Sequence, residues 1–158
     1  MSRRTNLYIG SSGQLAVMAE FLARGYNTAI PQVDAGDDIF VVRDDNGTLW
    51  RIQVKTANAK AQKKGYAATF NLGYAQLATP QNPDLEFVLA VRHKHRWSDF
   101  VLVPRATLYD LHVNQGVGTR GAKSVVLRLG MTPNAVTCNR VDLSIYRGDW
   151  SRWPPIAH

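Results

Sequence analysis

The chain has 158 residues, 45% of them hydrophobic, which is enough for one domain with its own core (expected over 1–158) and excludes a disordered chain. One cysteine, Cys138, excludes an internal disulfide; no apolar run approaches the roughly 18 residues of a membrane helix, and nothing after Met1-Ser2-Arg3-Arg4 resembles a secretory signal, so the expectation is a soluble cytoplasmic protein with no membrane partner. Nineteen Lys and Arg against 12 Asp and Glu give a net charge of +7, which suits a polyanionic partner and nucleic acid first.

Taken in chain order, residues 11–24 read as a helix. Leu15, Met18, Ala19 and Leu22 recur at i, i+3, i+4 and i+7 and predict its buried face. Ser11 and Gln14 have the capping-box spacing, and Gly25 ends the helix. A short strand over 26–31 stops at Pro31. Asp38–Arg43 and Leu49–Thr56 read as a hairpin around the turn Asp44-Asp45-Asn46-Gly47. Residues 57–66 read as a polar loop with Lys60, Lys63 and Lys64, residues 67–72 as a strand, and 73–79 as a helical turn. Phe87–Val91 and Phe100–Val103 read as strands joined by a basic tip, Arg92-His93-Lys94-His95-Arg96, followed by Trp97. Pro104 opens a helix over 105–113. Gly116, Gly118 and Gly121 predict a loosely ordered connection. Val125–Leu129 is a further strand, and in the closing segment Trp150 and Trp153 bury the tail or meet a second copy. This order predicts an α/β fold, a sheet covered by helices.

The hairpin carries the chemistry. A two-residue Asn46-Gly47 loop sets Asp38 opposite Lys55; a four-residue Asp44–Gly47 loop sets it opposite Gln53. With either, Asp38, Gln53 and Lys55 share one sheet face, and Trp50, Ile52 and Val54 take the other. A carboxylate, an amide oxygen and an ammonium at a sheet end can hold a hard cation against a phosphate. Asp38, Gln53 and the main-chain carbonyl of Val54 would be its ligands, and magnesium, which takes few protein ligands, suits such a set. Lys55 would steady the attacking water or the charge on phosphorus. Asp37 competes with Asp38 as the inward acid, and Asp34 either shapes a turn or reaches the site from behind the ligands. Lys60, Lys63 and Lys64, and Arg92, Lys94 and Arg96 at the tip, are candidate nucleic-acid contacts or else solvated charges, with Trp97 placed to stack on a base.

Gly13-Gln14-Leu15, Gly25-Tyr26-Asn27, Pro31, Asp34-Ala35-Gly36-Asp37-Asp38-Ile39 and Ile52-Gln53-Val54-Lys55-Thr56 occur in an order that resembles the PD-(D/E)XK nuclease superfamily. Within it the chain is similar to small Holliday-junction-resolvase-like and group I intron homing endonucleases, some of which carry Gln-X-Lys. The resemblance implies a restriction-endonuclease-like core, a mixed central sheet flanked by helices. It implies a metal-dependent endodeoxyribonuclease acting on double-stranded or branched DNA, with Mg²⁺ (or Mn²⁺) as cofactor and a homo-oligomer as the working form. Asp38 and Gln53 match the family's metal ligands and Lys55 its catalytic lysine. Gln14 stands where many members have a helix glutamate. The alternatives are a nuclease-like DNA-binding module of weak or no activity and an RNA-directed nuclease on the same core.

Overall fold

The structure, a computed structural model, describes residues 2–157; Met1 and His158, the ends of the expected 1–158 domain, lie outside the described residues. Helix α1 (Arg3–Ala23) is capped by Ser2, whose hydroxyl accepts from the Thr5 N–H at 3.2 Å. It therefore starts well before residue 11. Ser11 lies mid-helix, and the capping-box reading of Ser11 and Gln14 is wrong. The buried face is wrong too: Gly13, Val17 and Phe21 are buried, while Leu15 and Leu22 are exposed. The true stripe runs at i, i+4 and i+8 but begins on a glycine, which a count of apolar residues passes over.

The chain continues through β1 (Asn27–Ala29), β2 (Ile39–Arg43), β3 (Thr48–Asn58), β4 (Lys60–Gln62), β5 (Gly65–Gly73), α2 (Tyr74–Ala78), β6 (Leu85–His93), β7 (Arg96–Pro104), α3 (Arg105–Gln115), β8 (Thr119–Arg120), β9 (Ser124–Met131), β10 (Val136–Cys138), β11 (Val141–Asp142) and a 3-10 turn, Ser144–Tyr146. Residues 57–62 are not a loop. Ala57, Ala59 and Ala61 alternate there with Asn58, Lys60 and Gln62, a period of two that alanine's poor strand propensity disguises. Nor is the stretch after α3 loose: Val117 is fully buried, and Asn139 Nδ2 donates to the carbonyls of Gly116 and Gly118 at 2.9 and 3.1 Å.

Two sheets form. The first has the order β1-β2-β3-β6-β7, antiparallel except for the parallel pair β3 and β6. The second is antiparallel, β11-β10-β9-β5-β4, with β8 on β9. On one side of the first sheet Ile39, Val41, Ile52, Val54, Val88 and Leu102 pack on Val17 and Phe21 of α1. On its other side Phe87, Leu89, Val101 and Val103 pack on Phe70, Leu72, Leu127 and Leu129 of the second sheet and on Leu108 of α3. The central sheet is thus flanked by α1 on one side and, on the other, by α2 and α3 together with the second sheet. The end of the chain straps α1 down. Trp153 is fully buried, with its ring 5.2 Å from that of Phe21, and the Ile156 N–H donates to the Arg24 carbonyl at 2.9 Å.

Candidate active site

Hairpin β2–β3 pairs Ile39 with Ile52 and Arg43 with Thr48, so its loop is the four-residue one and Asp38 faces Gln53. The Asp38 N–H donates to the Ile52 carbonyl at 2.9 Å, which sets the residue in register just ahead of β2. Its Oδ2 accepts from the Val54 N–H at 2.8 Å and from the Gln53 amide. Gln53, itself buried, spans Asp38 and the Val54 carbonyl, 3.4 Å from its Nε2. Burial is the main influence on the Asp38 carboxyl and holds its pKa above the usual carboxylate range. The Val54 N–H and the Lys55 charge pull the other way, and Asp34 and Asp37 add to the rise. Asp37 is not the inward acid: it is buried and ion-paired with Arg51 at 2.6 Å. Asp34 is exposed and accepts from the Gly36 N–H at 3.0 Å, shaping the turn that delivers Asp38.

Two further glutamines frame this pair. Gln14 reaches in from α1, its Nε2 donating to the Asp38 carbonyl at 2.7 Å. That contact needs α1 close, and Gly13 provides the approach: a Cβ there would lie 2.7 Å from Trp97 Cη2 and closer still to Thr56 Cγ2. Gln76, on α2, donates to the Gln53 Oε1 at 2.7 Å and to the Gly36 carbonyl. Gln76 fixes which way the Gln53 amide faces and is the residue that sequence reasoning missed. Its only signal was a polar side chain on a short helix, and nothing local connects it to Gln53.

Lys55 is half-buried, makes no ion pair with a described residue, and lines an 820 Å³ groove together with Val54. The groove has no carboxylate in its lining; Lys60 and Arg128 stand along it, and Asp38 connects to it through Val54, whose N–H donates to the Asp38 carboxylate. Lys63 and Lys64 are exposed in the β4–β5 turn. Lys94 and Arg96 are exposed at the β6–β7 tip, where Lys94 and His95 hold positive φ of 48° and 66° in a two-residue turn. Arg92 is half-buried and turned back, with Nη1 3.4 Å from Asn58 Oδ1. Trp97 does not stand free to stack on a base: its ring is half-buried against the α1 core.

Asp38 Oδ1 and the Val54 carbonyl are hard donors bearing one negative charge, a set that fits a magnesium ion with several waters. Gln53, expected as a further ligand, instead points its amide nitrogen at the Asp38 carboxylate and the Val54 carbonyl, while its oxygen accepts from Gln76. Among the described residues no cluster of three His, Cys, Asp or Glu gathers anywhere, so this set is poor in charge. No family sequence model and no curated protein matches the chain. In three dimensions it is similar over 94% of its length to 90% of a bacterial homing endonuclease, I-Ssp6803I, with a TM-score of 0.58 and 21% identity. It also overlaps, over 75% of its length and 82% of the other, with Hjc, a Holliday junction resolvase from Archaeoglobus fulgidus, at a TM-score of 0.41 and 14% identity. The fold is thus a restriction-endonuclease-like mixed α/β fold.

Proposed function

We propose that this protein is a magnesium-dependent endodeoxyribonuclease of the cytoplasm that hydrolyses phosphodiester bonds of double-stranded or branched DNA. The observation that carries the reading is the pair Asp38 and Lys55. One is a desolvated carboxylate with an oxygen to spare; the other is an unpaired ammonium at the mouth of a groove without acids. Asp38 and the Val54 carbonyl would hold the ion, with Gln53 holding the second Asp38 oxygen through its amide nitrogen; when bound, the ion would polarise the phosphate and acidify a water. Lys55 neutralises charge on the phosphate from the groove side. Gln76 and Gln14 position Gln53 and Asp38. Because the ligand set holds one carboxylate, binding of the ion depends on the DNA phosphate for further charge. Mn²⁺ suits the same oxygens.

The test is a panel of supercoiled plasmid, four-way junction and RNA, incubated over a Mg²⁺ and Mn²⁺ series. Cleavage of DNA that begins only at millimolar metal supports the reading. Cleavage confined to RNA replaces the substrate, and no cleavage of any substrate leaves a DNA-binding module.

The working form is a homo-oligomer, since cutting two strands needs two sites. Its interface is the outer face of α1. Tyr8, Leu15 and Leu22 lie there at seven-residue intervals, 66%, 59% and 54% exposed, the spacing of a helix–helix seam. Changing Leu15 and Leu22 together to Lys should halve or quarter the mass measured by light scattering. Exposed substitutions of this kind should shift stability by no more than about 0.5 kcal/mol. An unchanged mass would place the interface elsewhere.

A further inference from the structure

The groove beside Lys55 does not end at the active site. It shares Gln62, Ala67 and Arg128 with a second depression of 310 Å³, so the two form one trough across the outer face of the second sheet. The register puts Lys60, Gln62, Ala67, Thr69 and Asn71 on that face, with Val126, Arg128 and Gly130 opposite them on β9. The pairing of Ala67 with Gly130 leaves its middle flat. No position on this face of β4, β5 and β9 is acidic. The side chains of Gln62, Thr69, Asn71 and Arg128 hydrogen-bond to no described residue, and all four are exposed. Unpaired amides, a hydroxyl and a guanidinium fork, set at the two-residue period of a strand, are the groups that distinguish base pairs by their edges.

Resting on the nuclease reading above, we infer that this face reads DNA sequence in the major groove and so selects where the chain cuts. β4 and β5 form the two-stranded edge of this sheet, about 4.8 Å apart, and the major groove, about 12 Å wide, admits a two-stranded ribbon, with Arg128 reaching in from the adjoining β9. Lys60, Lys63 and Lys64 flank the hairpin and meet phosphates, which positions the duplex without specifying it. Arg128 presents its fork to guanine O6 and N7, Asn71 and Gln62 their amides to adenine N6 and N7, and Thr69 its methyl to thymine. The trough runs on into Val54 and Lys55, so the sequence read and the bond cut lie on one continuous surface.

The experiment selects binders from a randomised duplex library in EDTA, which keeps the DNA whole, for wild type, Asn71→Ala, Arg128→Ala and Arg128→Lys. A consensus should emerge for wild type, and each variant should lose preference at its own position, by roughly tenfold or more for a lost bidentate pair. Arg128→Lys keeps the charge and loses the fork. It should bind unselected duplex within about twofold of wild type while its guanine preference disappears. Wild-type binding without a consensus, a consensus unchanged in every variant, or variants that weaken all sequences equally would each overturn the inference and leave the nuclease reading standing. No binding to any duplex at low salt would remove both.

Discussion

Asp38→Asn should stop cleavage and leave the protein more stable than before. Asparagine keeps the acceptor for the Val54 N–H and the Gln53 amide, so the hairpin end is preserved. It removes the only anionic oxygen of the ligand set, and the loss should be on the order of a thousandfold or more, the scale on which groups facing developing charge act. The gain in stability follows from the raised pKa of Asp38, whose first cause is burial. The folded protein holds that proton more tightly than the unfolded chain, whose aspartate titrates near 3.9. Ionised Asp38 therefore opposes folding at neutral pH. The penalty is complete above the folded pKa, shrinks as pH falls through it, and vanishes below the unfolded value. Wild type and Asp38→Asn should differ at pH 7 by about 0.5 kcal/mol, kept small because the carboxyl is only half-buried and solvent screens it. Urea denaturation should show the two curves converging toward pH 3. A variant that cuts DNA, or one that is less stable at pH 7, would sink the assignment.

The largest loss of stability should come from the other end of the chain. Trp153→Ala empties a fully buried site between Phe21, Trp50 and Trp150, whose rings lie 5.2, 6.1 and 6.4 Å away. Such truncations cost about 3–5 kcal/mol, a large share of a domain's total. Trp153→Phe should cost much less. The indole Nε1 is buried without a hydrogen-bond partner among the described residues. Removing an unsatisfied donor returns on the order of 1–3 kcal/mol against the smaller cavity that Phe leaves. Urea midpoints for the two variants should separate widely. Equal midpoints would mean that the tail does not anchor α1.

The shared face of Asp38, Gln53 and Lys55 was legible because a strong turn sets the register of a hairpin, and register with a period of two decides faces without any knowledge of the rest of the chain. The face of α1 was not legible, because two apolar stripes compete on it. The fuller one, Leu15 and Leu22, is outside, and the poorer one is inside because Gly13 lets the helix approach Thr56 and Trp97. The strand at Lys60–Gln62 was hidden by alanines, whose weak preference is overruled by pairing with β5. Gln76 could not be found at all. Its partners, Gln53 and Gly36, lie 23 and 40 residues away, and only tertiary structure brings them together.

The alternation along β5 and β9 has a consequence for descent. Phe70, Leu72, Leu127 and Leu129 point inward and are fixed by packing, whereas Thr69, Asn71, Val126 and Arg128 point outward. Exposed exchanges of that kind usually move stability by less than about 0.5 kcal/mol, so a lineage can drift through many residues at these four positions while keeping an intact core. Asp38, just ahead of β2, and Lys55, in β3, stand on the other sheet and are untouched by such drift. The fold thus lets what the surface meets and what the hairpin does evolve on separate clocks.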